Sequence, residues 1–259
     1  MSKTILITGA TDGIGKLTAQ ILAKAGHQIL LHGRNATKLG TAVREIGHKT
    51  ESYAADLSSL TETTAMAEAI LAKHTRLDVL INNAGVLKLA HPILPNGMDV
   101  RFVVNTLSPH ELTKRLLPII PKDGRVLNLS SAAQAAVNID AMRGKVHLGH
   151  MEAYAQSKLA ITIWSQEMAR ALPDGPAVIA INPGSLLASK MVKEGFGVSG
   201  SDLRIGADIL CRAALEDSFA KASGRYFDND ARRFGTPNPA AANAEHVHAV
   251  MTAIEDLTA

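Results

Sequence analysis

The 259-residue chain has a single cysteine, Cys211, so no internal disulfide can form and nothing points to an oxidising compartment. In its helical-looking stretch the thiol reads as a small buried hydrophobe rather than a nucleophile. Aromatic residues are also scarce, with five Phe, three Tyr and one Trp. Nor does charge of one sign dominate: 27 Lys+Arg stand against 24 Asp+Glu, a net +3 spread along the chain. Without a basic block and interleaved aromatics, nucleic-acid binding is a poor reading. No apolar run approaches the roughly 20 residues that a membrane-spanning helix needs. The start, Met1-Ser2-Lys3-Thr4, runs directly into a strand-like segment with no apolar leader and cleavage site. The expectation is therefore a cytoplasmic protein with no membrane span. Hydrophobic residues make up 46%, ordinary for a globular core, and the length suits one large domain.

The apolar segments alternate in kind. Strand-like runs at 4–8 (TILIT), 28–32 (QILLH), 52–55, 77–81 (LDVLI), Arg125–Leu129 and 177–181 (AVIAI) are separated by helical spacing. Helices are expected at 13–25, Ala36–Ile46, Leu60–Lys73, 97–117, 151–172 and Ala244–Leu257, the long fourth one stopping at Pro118. Strands apolar on both faces and separated by helices predict an α/β fold. It is a Rossmann-type, doubly wound parallel sheet in a single three-layer domain spanning 1–259. Residues 185–203 hold glycines but little periodicity and read as a mobile substrate lid, and 234–242 reads as a loop.

The first strand ends in Thr8-Gly9-Ala10-Thr11-Asp12-Gly13-Ile14-Gly15. Glycines here let the backbone turn tightly and approach a pyrophosphate, while the next helix offers free N–H groups and its positive dipole end. A tight βα turn without a ligand is the competing reading. Later come Asn82-Asn83-Ala84-Gly85 after the fourth strand, Ser130-Ser131 after the fifth, Tyr154-x-x-x-Lys158, and Pro183-Gly184 after the sixth. In this order and context the chain resembles the short-chain dehydrogenase/reductase family over residues 3–190, with the tail matching more loosely. The resemblance implies an oxidoreductase that moves hydride between a nicotinamide cofactor and an alcohol or carbonyl compound.

The residue closing strand two meets the adenosine ribose in such folds, and a carboxylate there selects NAD. This chain has His32-Gly33-Arg34-Asn35 instead, and Arg34 can bind a 2′-phosphate. NADP is the expected cofactor, with NAD as the alternative. Arg34 also reads as a solvated charge at a helix entry, and Asp12 stands where NADP-using relatives often carry a basic residue. The resemblance implies that Asp56 and Leu57 meet the adenine and that Asn83, Ala84 and Gly85 line the adenosine side. Asp56 equally reads as a turn or cap residue, and Asn82-Asn83 as structural.

Tyr154 and Lys158 lie four apart and share one helix face. A tyrosine near pKa 10 is a poor base, but an adjacent ammonium and an oxidised nicotinamide's charge lower it. Tyr154 is then the general acid/base. The resemblance selects Ser131 over Ser130 as the hydroxyl orienting the substrate oxygen, has Lys158 also hold the nicotinamide ribose, and gives Asn105 a water that relays protons to Lys158. It implies cofactor contacts from Pro183 and Gly184 and a hydroxyl at Ser189, with Ser185 the rival. No metal is needed: His147 and His150 lack a third ligand. The 23 positions separating Ser131 from Tyr154 include an insert, 138–150, that resembles the retinol-dehydrogenase-like branch and points to a lipophilic small-molecule substrate. Pairing through the helices carrying Asn105 and Tyr154, giving a homodimer or homotetramer, is a further implication. A catalytically silent NADP-binding regulatory or scaffold protein is the rival reading, which the Asn105, Ser131, Tyr154 and Lys158 set opposes.

Overall fold

In a computed structural model, residues 2–47, 49–188 and 200–259 are described. The chain runs β1 (Thr4–Ile7), α1 (Gly13–Lys24), β2 (Gln28–Gly33), α2 (Ala36–Ile46), β3 (Thr50–Ala54), α3 (Leu60–Lys73) and β4 (Val79–Asn82). An interrupted helix α4 follows, made of a turn at Val100–Phe102, a π-helical stretch at Val103–Leu107 and an α segment at Ser108–Leu116. Then come β5 (Arg125–Leu129), α5 (His150–Ala171), β6 (Ala177–Asn182), α6 (Leu203–Leu215), β7 (Tyr226–Asp228), β8 (Arg233–Gly235) and α7 (Ala244–Leu257).

The strands form one eight-stranded sheet in the order β3-β2-β1-β4-β5-β6-β7-β8. All neighbours are parallel except β7 and β8. Alternation along each strand divides the core into two layers. Ile5 and Ile7 of β1, with Ile179 and Ile181 of β6, face α1, α2 and α6. Leu6 and Val178 face α3, α4, α5 and α7. Both faces are thus covered, as the unbroken apolar strands require. Side-chain caps start the helices where the sequence supplies them: Asn35 accepts from Lys38 N–H, Ser59 from Glu62 N–H and Asn243 from His246 N–H.

The structure departs from the sequence reading in two places. Residues 97–117 are not one continuous helix. Pro109 has no N–H to give the carbonyl of Asn105 four residues earlier, and the chain widens into the π-helical stretch just before it. Residues 226–235 contain the last two strands, so the expected loop at 234–242 begins inside β8 and includes a 3₁₀ turn at Pro239–Ala242. Alongside α5 lies α7. Val250, Ala253 and Ile254 of that helix are fully buried in the layer that holds Trp164 and Leu116.

Candidate functional site

The sheet order reverses direction between β1 and β4, and ligands of open α/β sheets bind beyond the carboxyl ends of the strands at such a point. Asn83 Nδ2 donates to the carbonyls of Thr8 and Gly9 at 2.8 and 3.1 Å, and Ala84 N–H donates to Thr8 Oγ1. The β1 turn is therefore stitched to the β4 turn. Gly9 has φ +66°, and a Cβ there would stand 2.9 Å from Ala84 Cα. At Gly15 a Cβ would lie 2.4 Å from Asn83 Nδ2 and 2.6 Å from Gly9 O. Gly13, by contrast, has nothing within 4 Å of a built Cβ, so the space beside the start of α1 is open. Thr11, Asp12 and Ile14 complete this turn. Asp12 is exposed and its carboxylate accepts from Gly13 N–H at 2.7 Å. An open space beside first-turn amides that lack intrahelical acceptors fits the pyrophosphate of a dinucleotide.

At the end of β2, His32 is buried between the first and third strands. Its Nδ1 accepts from Gly9 N–H at 3.1 Å, so the ring proton sits on Nε2 and faces Ala55 O at 3.0 Å. Burial holds its pKa below the ordinary histidine value, in keeping with that neutral form. Arg34 is exposed at the mouth and forms no ion pair among the described residues. Other expected adenosine contacts spend their side chains locally. Asn35 caps α2. Asp56 Oδ1 accepts from Ser58 N–H and Oγ, and Asp56 N–H donates to Glu62. Leu57 packs in the core, and its carbonyl is taken by Ser108 Oγ.

The candidate acid/base groups gather at the end of β5 and on α5. The Ser131 side chain stands near enough to the Tyr154 phenol to oppose the rise that burial imposes on its pKa. Lys158 Nζ lies 5.6 Å from the Tyr154 ring centroid and donates to Leu129 O at 2.6 Å. Ser130, by contrast, is buried and bonded to Lys158 O and Thr162 Oγ1. Asn105 is fully buried inside the π-helical stretch. Its Oδ1 accepts from Val86 N–H at 2.8 Å, and its Nδ2 donates to Val86 O and Ser157 Oγ, each at 3.0 Å. Both amide protons are committed, so the side chain is a brace. The electrostatics also differ from the sequence argument: burial raises the Tyr154 pKa, opposed by the nearby Ser131 side chain, and desolvation pushes Lys158 down to about 7. Without a bound cofactor, the lysine gives up its own charge before it can acidify the phenol.

The short chain dehydrogenase family description matches residues 3–196. The chain belongs to this family. Among curated relatives, retinol dehydrogenase 13 of Homo sapiens is 32% identical over 253 residues, covering 87% of this chain and 76% of that protein. A crystal structure of an uncharacterized protein from Mycobacterium paratuberculosis superposes with a TM-score of 0.82 at 27% identity, covering 99% of this chain and 93% of that one. A short chain dehydrogenase from Shigella flexneri, complexed with NADP, gives 0.70 at 27% identity, covering 88% of this chain and 97% of that one. These likenesses make the protein an NAD(P)-dependent oxidoreductase with a Rossmann fold and place it beside the retinol-dehydrogenase-like branch.

In this short-chain dehydrogenase the turn after β6 and the loop after β5 contain residues the sequence reading passed over. Asp230 collects Ser185 N–H, Ser185 Oγ and Asn182 Nδ2, which tightens the turn after β6. Its pKa is lowered because these hydrogen bonds outweigh its burial. Asn229 Nδ2 holds Pro183 O, and Gly184 N–H donates to Asn182 Oδ1. Ser185, the rival hydroxyl, is thus engaged, while Ser189 lies outside the described residues. Both ends of the expected lid are paired, Ala188 N–H donating to Ser201 O and Ser201 N–H to Leu186 O. Gln134 fastens the loop after β5 by donating to Ser130 Oγ and Ser131 O, and Tyr226 Oη also donates to Ser131 O. A glutamine three residues past a candidate serine has no chemical signature by itself. No helix among the described residues is long and apolar enough to cross a membrane.

Proposed function

We propose that the chain is an NADP-preferring oxidoreductase that interconverts an alcohol and a carbonyl compound, with Tyr154 as general acid/base. The observation that carries this reading is the gathering of Tyr154, Ser131 and Lys158 at the carboxyl end of β5, with Lys158 Nζ 5.6 Å from the Tyr154 ring centroid and bonded to Leu129 O. When bound, the nicotinamide supplies or accepts the hydride. Gly9, Thr11, Gly13, Ile14 and Gly15 would hold its pyrophosphate against α1. Asn83, Ala84 and Gly85 would line the adenosine side, and Arg34 would meet a 2′-phosphate. Of Asp56 and Leu57, the Leu57 N–H remains for the adenine, since Asp56 N–H, both carbonyls and both side chains are engaged. Pro183 and Gly184 would border the nicotinamide end.

In reduction, Ser131 orients the substrate oxygen and Tyr154 delivers a proton to it. A phenol whose pKa is raised by burial keeps its proton at neutral pH, the form this step requires. In oxidation Tyr154 must take that proton back, which needs cationic Lys158 and the positive charge of the oxidised cofactor.

A lipophilic substrate is supported by where apolar surface is left uncovered. Among the described residues, the exposed large hydrophobic side chains are Val146 and Met151 (43% each) and Leu186 and Ile205 (47% each). The first two lie in the insert and at the start of α5, one turn ahead of Tyr154. The second two flank the turn after β6, where Ile205 Cγ2 is 3.7 Å from a Cβ built on Gly184. The retinol of the relative's name is an alcohol of this class.

The test is NADPH oxidation across aldehydes, ketones and quinones of increasing chain length, with Tyr154→Phe in parallel. Turnover that rises with apolar length and is lost in the variant supports the reading. Wild type and variant equally silent while NADPH still binds would leave the scaffold reading instead.

A further inference from the structure

We propose, resting on the roles of Ser131 and Tyr154 given above, that Gln134 and Tyr226 are positioning residues that aim the Ser131 hydroxyl by holding the peptide that carries it. A carbonyl oxygen offers two lone pairs, and at Ser131 both have a side-chain donor: Gln134 Nε2 at 2.9 Å and Tyr226 Oη at 3.0 Å. Ser131 Oγ in turn accepts from Ala133 N–H at 3.1 Å. With a fixed backbone donor on that oxygen, its own proton remains to be given to an oxygen in the crevice. Ser131 is thus held at its carbonyl and at Oγ while keeping the proton that orienting a substrate requires. Ser130 makes the contrast, since its hydroxyl is buried among Lys158 O and Thr162 Oγ1.

The two donors are themselves anchored by later parts of the chain. Gln134 Oε1 accepts from Asn238 N–H at 2.9 Å, and Asn238 Nδ2 donates to Gln134 O at 3.2 Å. Asn238 N–H can only donate and Ser131 O can only accept, so the glutamine amide has one workable orientation. Tyr226 is buried on β7, which pairs with β6. Burial and the carboxylates of Asp228 and Asp230 raise the Tyr226 pKa, so this phenol stays a donor throughout the neutral range. On the opposite side, Ala135 N–H donates to Ala155 O at 3.2 Å, one residue past Tyr154. The loop from Ser131 to Ala135 is therefore stretched between the helix carrying Tyr154 and residues 226 and 238, which lie beyond the 3–196 of the family match. Holding the serine from both sides matters because a misplacement of about 1 Å can cost about 10²-fold in rate.

Tyr226→Phe keeps the ring and removes one donor; Gln134→Met keeps the length and removes the other. With NADPH and an aldehyde that the wild type reduces, each is expected to lower kcat about tenfold and leave NADPH affinity unchanged. In a Ser131→Ala background no hydroxyl is left to aim, so the same substitutions are expected to change kcat little. Equal losses with and without Ser131 would make the two side chains framework only and overturn the proposal, as would wild-type kcat in both variants. Hydrogen exchange gives a readout that needs no turnover: residues 131–136 are expected to exchange several-fold faster in each variant, with β5 and α1 unaltered. A wild type that reduces nothing sinks the acid/base reading of Tyr154, and exchange then decides this assignment alone. Unchanged exchange in both variants overturns it.

Discussion

The β1 turn and the candidate catalytic cluster at β5 and α5 are held by opposite means. The turn depends on atoms that are missing: Gly9 and Gly15 leave room for Asn83 and Ala84, and any added carbon collides with them. The cluster depends on atoms that are present: Asn105, Ser157 and Ser130 are buried polar groups, each with a partner that removal would strand. The turn should therefore be intolerant of additions and the cluster of deletions. One side chain breaks the pattern. No hydrogen bond from Tyr154 Oη to the framework is found among the described residues, so its removal should affect chemistry more than stability. Tyr154→Phe is expected to lower kcat by about 10²–10⁴-fold, the usual contribution of a positioned acid/base. Unchanged thermal unfolding and NADPH binding would complete the contrast; a melting temperature that falls with the rate would erase it.

Gly15→Ala tests the other side. The new methyl must displace Asn83 or the Gly9 carbonyl, an overpacking cost of about 1–3 kcal/mol. That strain appears where the pyrophosphate should rest, so NADPH affinity falls along with stability. Calorimetric unfolding and fluorescence titration read the two losses, and an alanine variant with wild-type affinity would show the turn to be no phosphate cradle. Asn105→Ala removes a brace instead: the Val86 N–H and C=O and the Ser157 hydroxyl all lose a partner. Denaturant unfolding should register about 1–3 kcal/mol, the cost of leaving a buried polar group unsatisfied. Asn105→Asp, which keeps the acceptor for Val86 N–H but loses the donors, should recover only part of it. Smaller again is Arg34→Ala, since Arg34 is exposed and solvent weakens its interactions. NADPH affinity should fall about tenfold, or about 1.4 kcal/mol, with NADH affinity unchanged. Equal loss for both cofactors would remove the argument for NADP.

How far the sequence revealed these regions follows the same division. Backbone needs are written in residue types, so the glycines of 8–15 and the strand–helix alternation locate β1, α1 and the sheet without coordinates. Short polar residues at helix entries are ambiguous, because the group that could touch a ligand can also cap a helix. Asn35 and Asp56 resolve towards the local use, and Leu57 turns into the core. The break in α4 was in fact signalled. Pro109 lies within the helical pattern and cannot bond the Asn105 carbonyl, yet the surrounding apolar spacing carries the eye past it. Strands β7 and β8 are three residues each, too short for any period to emerge. The packing of α7 on α5 has no local signal, since an amphipathic helix does not name the surface it covers.

Lys158 gives the finest test, because it joins the two regions through a proton. Desolvation lowers its pKa to about 7, and the described contact of its ammonium is the Leu129 carbonyl, which stabilises the cation only modestly. A dinucleotide bound with its ribose against Lys158 returns hydrogen-bond acceptors and phosphate charge to that site, raising the pKa towards the ordinary lysine value. The protonated form is then preferred in the complex. Binding is fully supported below about pH 7 and weakens as the pH rises from there towards the higher pKa of the complex, by at most about tenfold per pH unit. Between those limits NADPH binding takes up a proton from solution. The calorimetric binding enthalpy at pH 8 should consequently vary with the ionisation enthalpy of the buffer. Lys158→Met should abolish that variation, while Arg34→Ala, which acts at the adenosine end, should retain it. Equal enthalpies across buffers for the wild-type protein would mean that the lysine does not gain its charge on binding, and Tyr154 would then need another source of cationic support.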